Sequence, residues 1–167
     1  MKHLKTFFIA VALTLGATTF TNAQSKIAHI ASQELIEQMP AYTDAMNQLE
    51  KLQKTYDTEI KDMVTEAQAT MKRYEAEAET KTDEENRERM LELQQTQQAV
   101  AQFRQNAMQE LQQKEVELLK PVYEKARTAI QKVAREKGYE YVFDSTTGTG
   151  LILADGYNLM DDVKAEL

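Results

Sequence analysis

From Leu49 to Ala78 the apolar residues fall in steps of 3, 4 and 4: Leu49, Leu52, Tyr56, Ile60, Met63, Ala67, Met71, Tyr74 and Ala78. That is an eleven-residue period, near 3.67 residues per turn, which predicts a straight or slightly right-handed helix rather than a tight left-handed coiled coil. A second stripe follows, with Met90, Leu93, Val100, Phe103, Ala107, Leu111, Leu118 and Val122. Between the stripes, Thr82 and Glu85 stand three apart as a capping box, with Asp83 and Glu84 suiting the positive end of a new helix. Two arms are predicted, about Ala41–Glu79 and Asp83–Lys120, each roughly 57 Å long at 1.5 Å per residue.

Folding the arms back near residue 80 sets Leu49 against Leu111, Leu52 against Met108, Ile60 against Val100 and Met71 against Met90. Apolar residues then meet apolar residues, the condition for an antiparallel helical hairpin. One uninterrupted helix is the alternative, because Thr and Lys break helices only weakly. The stripe is narrow and the Gln94–Gln113 stretch is glutamine-rich, so the arms bury little surface and should be mobile at the far end. The tip is acidic, with eight Asp and Glu against three basic residues from Glu75 to Glu92.

The flanks carry different signals. Lys2 and Lys5 precede the apolar run Phe7–Ala17, and Thr21-Asn22-Ala23 offers small residues for cleavage, so residues 1–23 read as an export signal. The apolar run is short of the about 20 residues a bilayer span needs. There is no cysteine, which excludes a disulfide framework, thiolate chemistry and a lipid-modified N-terminus. Loss of Lys2 and Lys5 with the leader takes the net charge from −7 to −9. Nucleic acid and anionic membrane surfaces both reward excess Lys and Arg, so neither suits this chain.

Residues 24–167 are expected to form one α+β domain, with a body (24–40 and 121–167) carrying the hairpin (41–120). Ser25–Ile30 reads as a strand, Ser32 as the N-cap of a short helix, and Pro40 as its stop. Pro121 is expected to interrupt the second arm as a kink or hinge. Val122–Gly138 reads as a further helix with Gly138 past its end. Tyr139–Asp144 reads as a strand, Ser145–Gly150 as a hairpin turn, and Leu151–Ala154 as the return strand. A short helix capped at Asn158 or Asp161 closes the chain.

So small a sheet is marginal alone, and its strands are apolar on both faces. We expect copies to pack through Ile27, Ile30, Tyr141, Val142, Phe143, Leu151, Ile152 and Leu153 into a symmetric oligomer.

The succession of an export signal, a Lys26–Ile30 strand, a long charged hairpin, the stretch KPVYEKARTAIQKVAREKGYEYVFD and a final DDVKAEL resembles the Skp/OmpH family of periplasmic chaperones. The likeness spans the mature chain and is most specific over Pro121–Asp144, where the proline, AIQKVA, GY and the strand ending in Asp follow in order. It implies a homotrimer whose strands form the body and whose hairpins enclose a cavity holding unfolded outer-membrane β-barrel proteins in the periplasm, without ATP. The absence of a P-loop agrees with that. Met46, Met63, Met71, Met90, Phe103 and Met108 are candidate client contacts, because methionine adapts to varied apolar partners; packing within the hairpin is their other reading. The arms depart from strongly basic members of that family in being acidic, so a lipopolysaccharide site is not carried over.

No catalytic, cofactor or metal site is expected. His29 is the sole histidine outside the leader, and Asp155, Asp161 and Asp162 lack the calcium-loop pattern. The rival function is a structural coiled-coil spacer or assembly adaptor of the envelope, which would hold strong Leu and Ile at the seam instead of Ala67, Gln97 and Arg104.

Overall fold

The computed structural model describes residues 26–167, so the leader assigned to residues 1–23 lies outside the described residues. The elements in order are β1 (Ile27–Ile30), α1 (Ser32–Glu37), α2 (Pro40–Glu77), a 3-10 turn (Ala78–Thr80), α3 (Asp83–Glu136), β2 (Tyr141–Asp144), β3 (Tyr157–Asn158) and α4 (Met160–Lys164). Helix α2 and the first part of α3 form the antiparallel hairpin. The three strands, α1, α4 and the base of α3 form the body.

Pro40 both ends the α1 region and occupies the first turn of α2, where its missing N–H would be unpaired anyway. At the tip the capping box is complete: the Thr82 hydroxyl accepts from the Glu85 amide, and the Glu85 carboxylate accepts from the Thr82 amide at 2.9 Å. The Thr82 amide, Lys81 and the Thr82 hydroxyl together hold the Glu85 carboxyl at about 2. Asn86 reaches back to the Ala78 carbonyl at 3.0 Å, closing the turn that neither Gly nor Pro enforces.

Seam residues of α2 follow the eleven-residue reading closely, with Leu49, Leu52, Tyr56, Ile60, Met63, Ala67 and Tyr74, and Ala78 of the 3-10 turn, all partly buried. Thr70 replaces Met71 in the seam, leaving Met71 exposed. On α3 the seam runs through Leu93, Thr96, Val100, Phe103, Ala107, Leu111 and Leu118. The expected pairings of Leu52 with Met108 and Met71 with Met90 are therefore corrected. Ala107 takes the seam beside Met108, and Met71 shares its groove with Leu93 rather than Met90. The Tyr56 and Phe103 rings meet edge-on at 6.1 Å between centroids, filling the middle of a narrow seam.

Pro121 does not interrupt the arm. Helix α3 runs unbroken for 54 residues from Asp83 to Glu136, through Pro121 and into what was expected to be a separate helix. One missing donor in so long a ladder is tolerable when the turns beyond it are anchored, and Val122, Ala126, Ala129 and Val133 are all buried in the body. The helix ends at a Schellman motif. The Gly138 amide donates to the Arg135 carbonyl and the Tyr139 amide to the Ala134 carbonyl, with Gly138 at φ +73°. Gly138→Ala should cost about 1 kcal/mol, since a Cβ disfavours that backbone region; urea unfolding at fixed protomer concentration measures it.

The sheet order is β2-β1-β3, with both outer strands parallel to β1. This corrects the expected hairpin of Tyr139–Asp144 with Leu151–Ala154. Two strands parallel to the same neighbour require the chain to travel back between them, and residues 145–156 are that return path. Gly148 and Gly150, at φ +92° and +91°, turn it. Leu151–Ala154 has a strand's composition but no ladder partner among the described residues.

One face of the sheet is covered by the chain's own helices rather than by other copies. Ala28 and Ile30 pack with Leu35, Ile36 and Met39, with Val122, Ala126 and Val133 of α3, and with Leu159, Met160 and Val163. Alanines at 126, 129 and 134 let the long helix approach closely. The C-terminal helix is pinned from outside as well: Lys137 pairs with Asp162 at 2.8 Å, Lys132 with Glu166, and Lys125 with the Leu167 carbonyl. Tyr157 donates to Asp162 and stacks on Tyr139 at 5.5 Å.

Candidate functional site

The two flanks of the hairpin differ in chemistry. Met46, Gln53, Val64 and Met71 recur 7, 11 and 7 residues apart along α2, so they share one helical face. Met90, Gln94, Ala101, Gln105, Met108 and Gln112 recur by 4, 7, 4, 3 and 4 along α3, again one face, with Arg87, Arg104 and Glu115 at the edges of its grooves. The two faces flank the seam on the same side. Met46 and Met108 line one open groove with Leu49 and Leu111. Val64 and Met71 line a second with Leu93 and Ala101. A third, around Met90 and Leu91, shares Leu93 and Gln97 with the second.

The opposite flank is acidic. Glu88, Glu92, Glu110 and Glu117 of α3 lie there, spaced 4, 18 and 7 apart. Tyr74 donates to Glu92 at 2.6 Å, and this bond, with burial and the charge of Glu92, pushes the phenol up. Tyr56 is pushed up in the same way, first by hydrogen bonding to Glu110. Each pair is 18 residues from the other in both arms, five helical turns, so Glu110 approaches Tyr56 on the flank where Glu92 accepts from Tyr74. Nearer the tip, Arg89 bonds Glu77 at 2.6 Å and lies 4.5 Å over the Tyr74 ring. These braces leave the methionine side free.

The six apolar candidates divide accordingly. Met90 and Met108 are each 72% exposed, and Met46 and Met71 stand out less far beside them. Met63 and Phe103 are half-buried in the seam. Leu91, Val116 and Tyr123 are also exposed on α3. They were missed because they fall off the apolar stripe, each beside a glutamate that reads as a solvated face.

The sheet presents a second apolar surface. On β1 and β2, Ile27, Tyr141 and Phe143 point away from the helices and are exposed. Leu151, Ile152 and Leu153 are exposed too, Ile152 fully so. Ile30 and Val142, expected at the contact between copies, instead face inward: Ile30 is buried and Val142 packs against the core. A one-residue alternation decides this, since Ile27 and His29 point to the open face and Ala28 and Ile30 to the core. His29 ties that face together, its Nδ1 3.0 Å from the Ser145 hydroxyl and its Nε2 3.2 Å from the Gly156 carbonyl. Both ring nitrogens are thus occupied by the return path, a structural role.

Among the described residues no group of three or more His, Cys, Asp or Glu could hold a metal ion, and no helix is long and apolar enough to cross a membrane.

A long hairpin of weakly buried helices on a small three-stranded body defines an architectural class, and comparison with known proteins places the chain within it. The model of the family described as outer membrane protein (OmpH-like) matches residues 26–167, and the chain belongs to that family. The chaperone protein Skp of Photorhabdus laumondii is 27% identical over 139 residues, covering 83% of this chain and 82% of that protein. The crystal structure of an outer membrane chaperone (OmpH-like) from Caulobacter crescentus CB15 matches with a TM-score of 0.76 at 18% identity, over 86% of this chain and 84% of the other. The second likeness speaks for the fold.

Proposed function

We propose that this protein is an ATP-independent holdase that binds unfolded outer-membrane β-barrel proteins in the periplasm and prevents their aggregation. The observation that carries the reading is the one-sided hairpin: shallow apolar grooves with exposed methionines on one flank, braced by charges on the other. Open grooves suit many weak contacts with a mobile chain, where avidity replaces a single tight site. Family membership and the chaperone names of the relatives support the same role. A cleavable leader over residues 1–23 would supply the route to the periplasm.

The active form in this reading is a homotrimer assembled through the open sheet face and the Leu151–Leu153 segment, with the methionine flanks turned toward a shared cavity. Flexing at the extended Met39 junction between α1 and α2, and along the thinly packed arms beyond the body, would admit the client. Ile152→Asp tests the assembly. Because this side chain is fully exposed in the single chain, the charge cannot disturb the protomer's own core. Sedimentation at equal protomer concentration should show trimer for the parent and monomer for the variant, with the helical circular dichroism largely kept.

The function is tested by diluting an outer-membrane protein from urea into buffer with the purified mature protein and following light scattering. Scattering should be suppressed at one trimer per client. Unchanged scattering would sink the holdase reading and favour an envelope spacer built on the same hairpin.

A further inference from the structure

The methionines are partitioned by position. Met46, Met71, Met90 and Met108 are exposed, all on one flank of the hairpin, whereas Met39 and Met160 are buried in the body and Met63 is half-buried in the seam. Thioether sulfur is readily oxidised where solvent reaches it, and the chain has no cysteine to intercept the oxidant first. None of the four supports the core, so the change they undergo need not unfold the protein. It would, however, alter the grooves, because a sulfoxide turns an adaptable apolar side chain into a strongly polar one.

We propose that these four methionines form an oxidant-sensitive modification site, at which conversion to sulfoxide switches off apolar client capture while the fold and assembly persist. The oxidant is a peroxide. Each thioether sulfur loses two electrons and takes one oxygen atom from hydrogen peroxide; the O–O bond breaks and water leaves. Reversal requires a methionine sulfoxide reductase drawing two electrons from a thiol donor. The site rests on the holding role proposed above, since the groove surface that touches the client is the surface that is modified. Its location also limits the damage. Seam and body contacts are made by other residues, and the Tyr–Glu braces lie on the opposite flank.

The test treats the full mature protein with graded hydrogen peroxide, maps the added oxygen by peptide mass, and measures scattering of a urea-diluted outer-membrane protein in parallel. Sulfoxide should accumulate at the four exposed positions on the order of tenfold faster than at Met39 and Met160. Over the same range, suppression of aggregation should fall while helical content and sedimentation stay constant. The variant Met46→Leu/Met71→Leu/Met90→Leu/Met108→Leu lacks the reactive sulfur, so whatever suppression it shows before peroxide should be kept after it, whereas the parent loses its own. Full suppression by the oxidised parent would overturn the switch and leave the holdase reading intact. Equal loss in the leucine variant would overturn it too, by placing the sensitivity elsewhere. Failure of the untreated parent to suppress aggregation would sink both, and is recognised before any oxidant is added.

Discussion

Leu159→Ala should destabilise the protein by about 3 kcal/mol, among the largest losses available to a single substitution in this chain. Leu159 is fully buried where the end of β3 meets α4, and its amide donates to the His29 carbonyl at 2.9 Å. Truncation keeps that amide but leaves a void among β1, α1 and the base of α3, where close packing permits little collapse. The comparison is with the hairpin, where Val100 is the most buried valine of the seam. Val100→Ala should cost only about 1 kcal/mol, because less surface is removed and the two-helix seam can close over the gap. Urea unfolding followed by circular dichroism and by tyrosine absorption, at fixed protomer concentration, separates the two. Equal losses at both sites would mean that the hairpin, not the body, sets the stability.

That contrast explains which parts of the fold could be read in advance. The arms are governed by local rules: an eleven-residue stripe, a capping box and Pro40 at a helix start are all written within a few residues of where they act. The body depends on partners far apart in sequence. Nothing near Leu151–Leu153 reveals that its main chain lacks a ladder partner, or that Tyr157-Asn158 takes the free edge of β1 instead. Pro121 misleads for a related reason, since the penalty for a proline is local but the packing of Val122 through Ala134 that offsets it is not. For the candidate site, the six apolar positions were visible, but their division was not. A shift of one residue, Thr70 for Met71 or Ala107 for Met108, moves a side chain by about 100° around the helix, from seam to groove.

The charge pattern of the hairpin follows from the same geometry. The repeat of Tyr56 with Glu110 and Tyr74 with Glu92 puts part of the acid of the arms on one flank. The methionine flank carries acid too, with Glu50 and Glu115 lining the groove of Met46 and Met108. In the trimer proposed above, three such hairpins with their methionine flanks inward would put Glu88, Glu92, Glu110 and Glu117 outward, favouring solubility while leaving the grooves open to a client.

Asp144→Ala should be the most damaging polar substitution, at about 2 kcal/mol, and its effect should disappear in acid. Helix α1 begins after Ala31, which has no side-chain oxygen to cap the first amides. Asp144 does this from the end of β2: its carboxylate accepts the Ser32 amide at 3.2 Å and the Ser32 hydroxyl, so Ser32 is a donor here and not the cap its sequence suggests. The same carboxylate accepts the Thr146 amide at 2.9 Å, and the Thr146 hydroxyl in turn accepts the Gln33 amide at 3.2 Å. One side chain thus joins β2, the start of α1 and the return path. Burial opposes its charge, but the hydrogen bonds from Ser32 and Thr146 prevail and lower the carboxyl from 3.8 to about 2. A carboxyl depressed on folding stabilises the native state above its unfolded value, and that contribution is lost as pH falls from about 4 toward 2. Glu85 titrates over the same range, so the informative quantity is the difference between the parent and Asp144→Asn, which cannot ionise at this position. That difference should be constant from pH 7 to about 5 and shrink below about 4. Parallel curves down to pH 2 would show that the α1 cap does not depend on the charge of Asp144, leaving its hydrogen-bond geometry alone to join the strand to the helix.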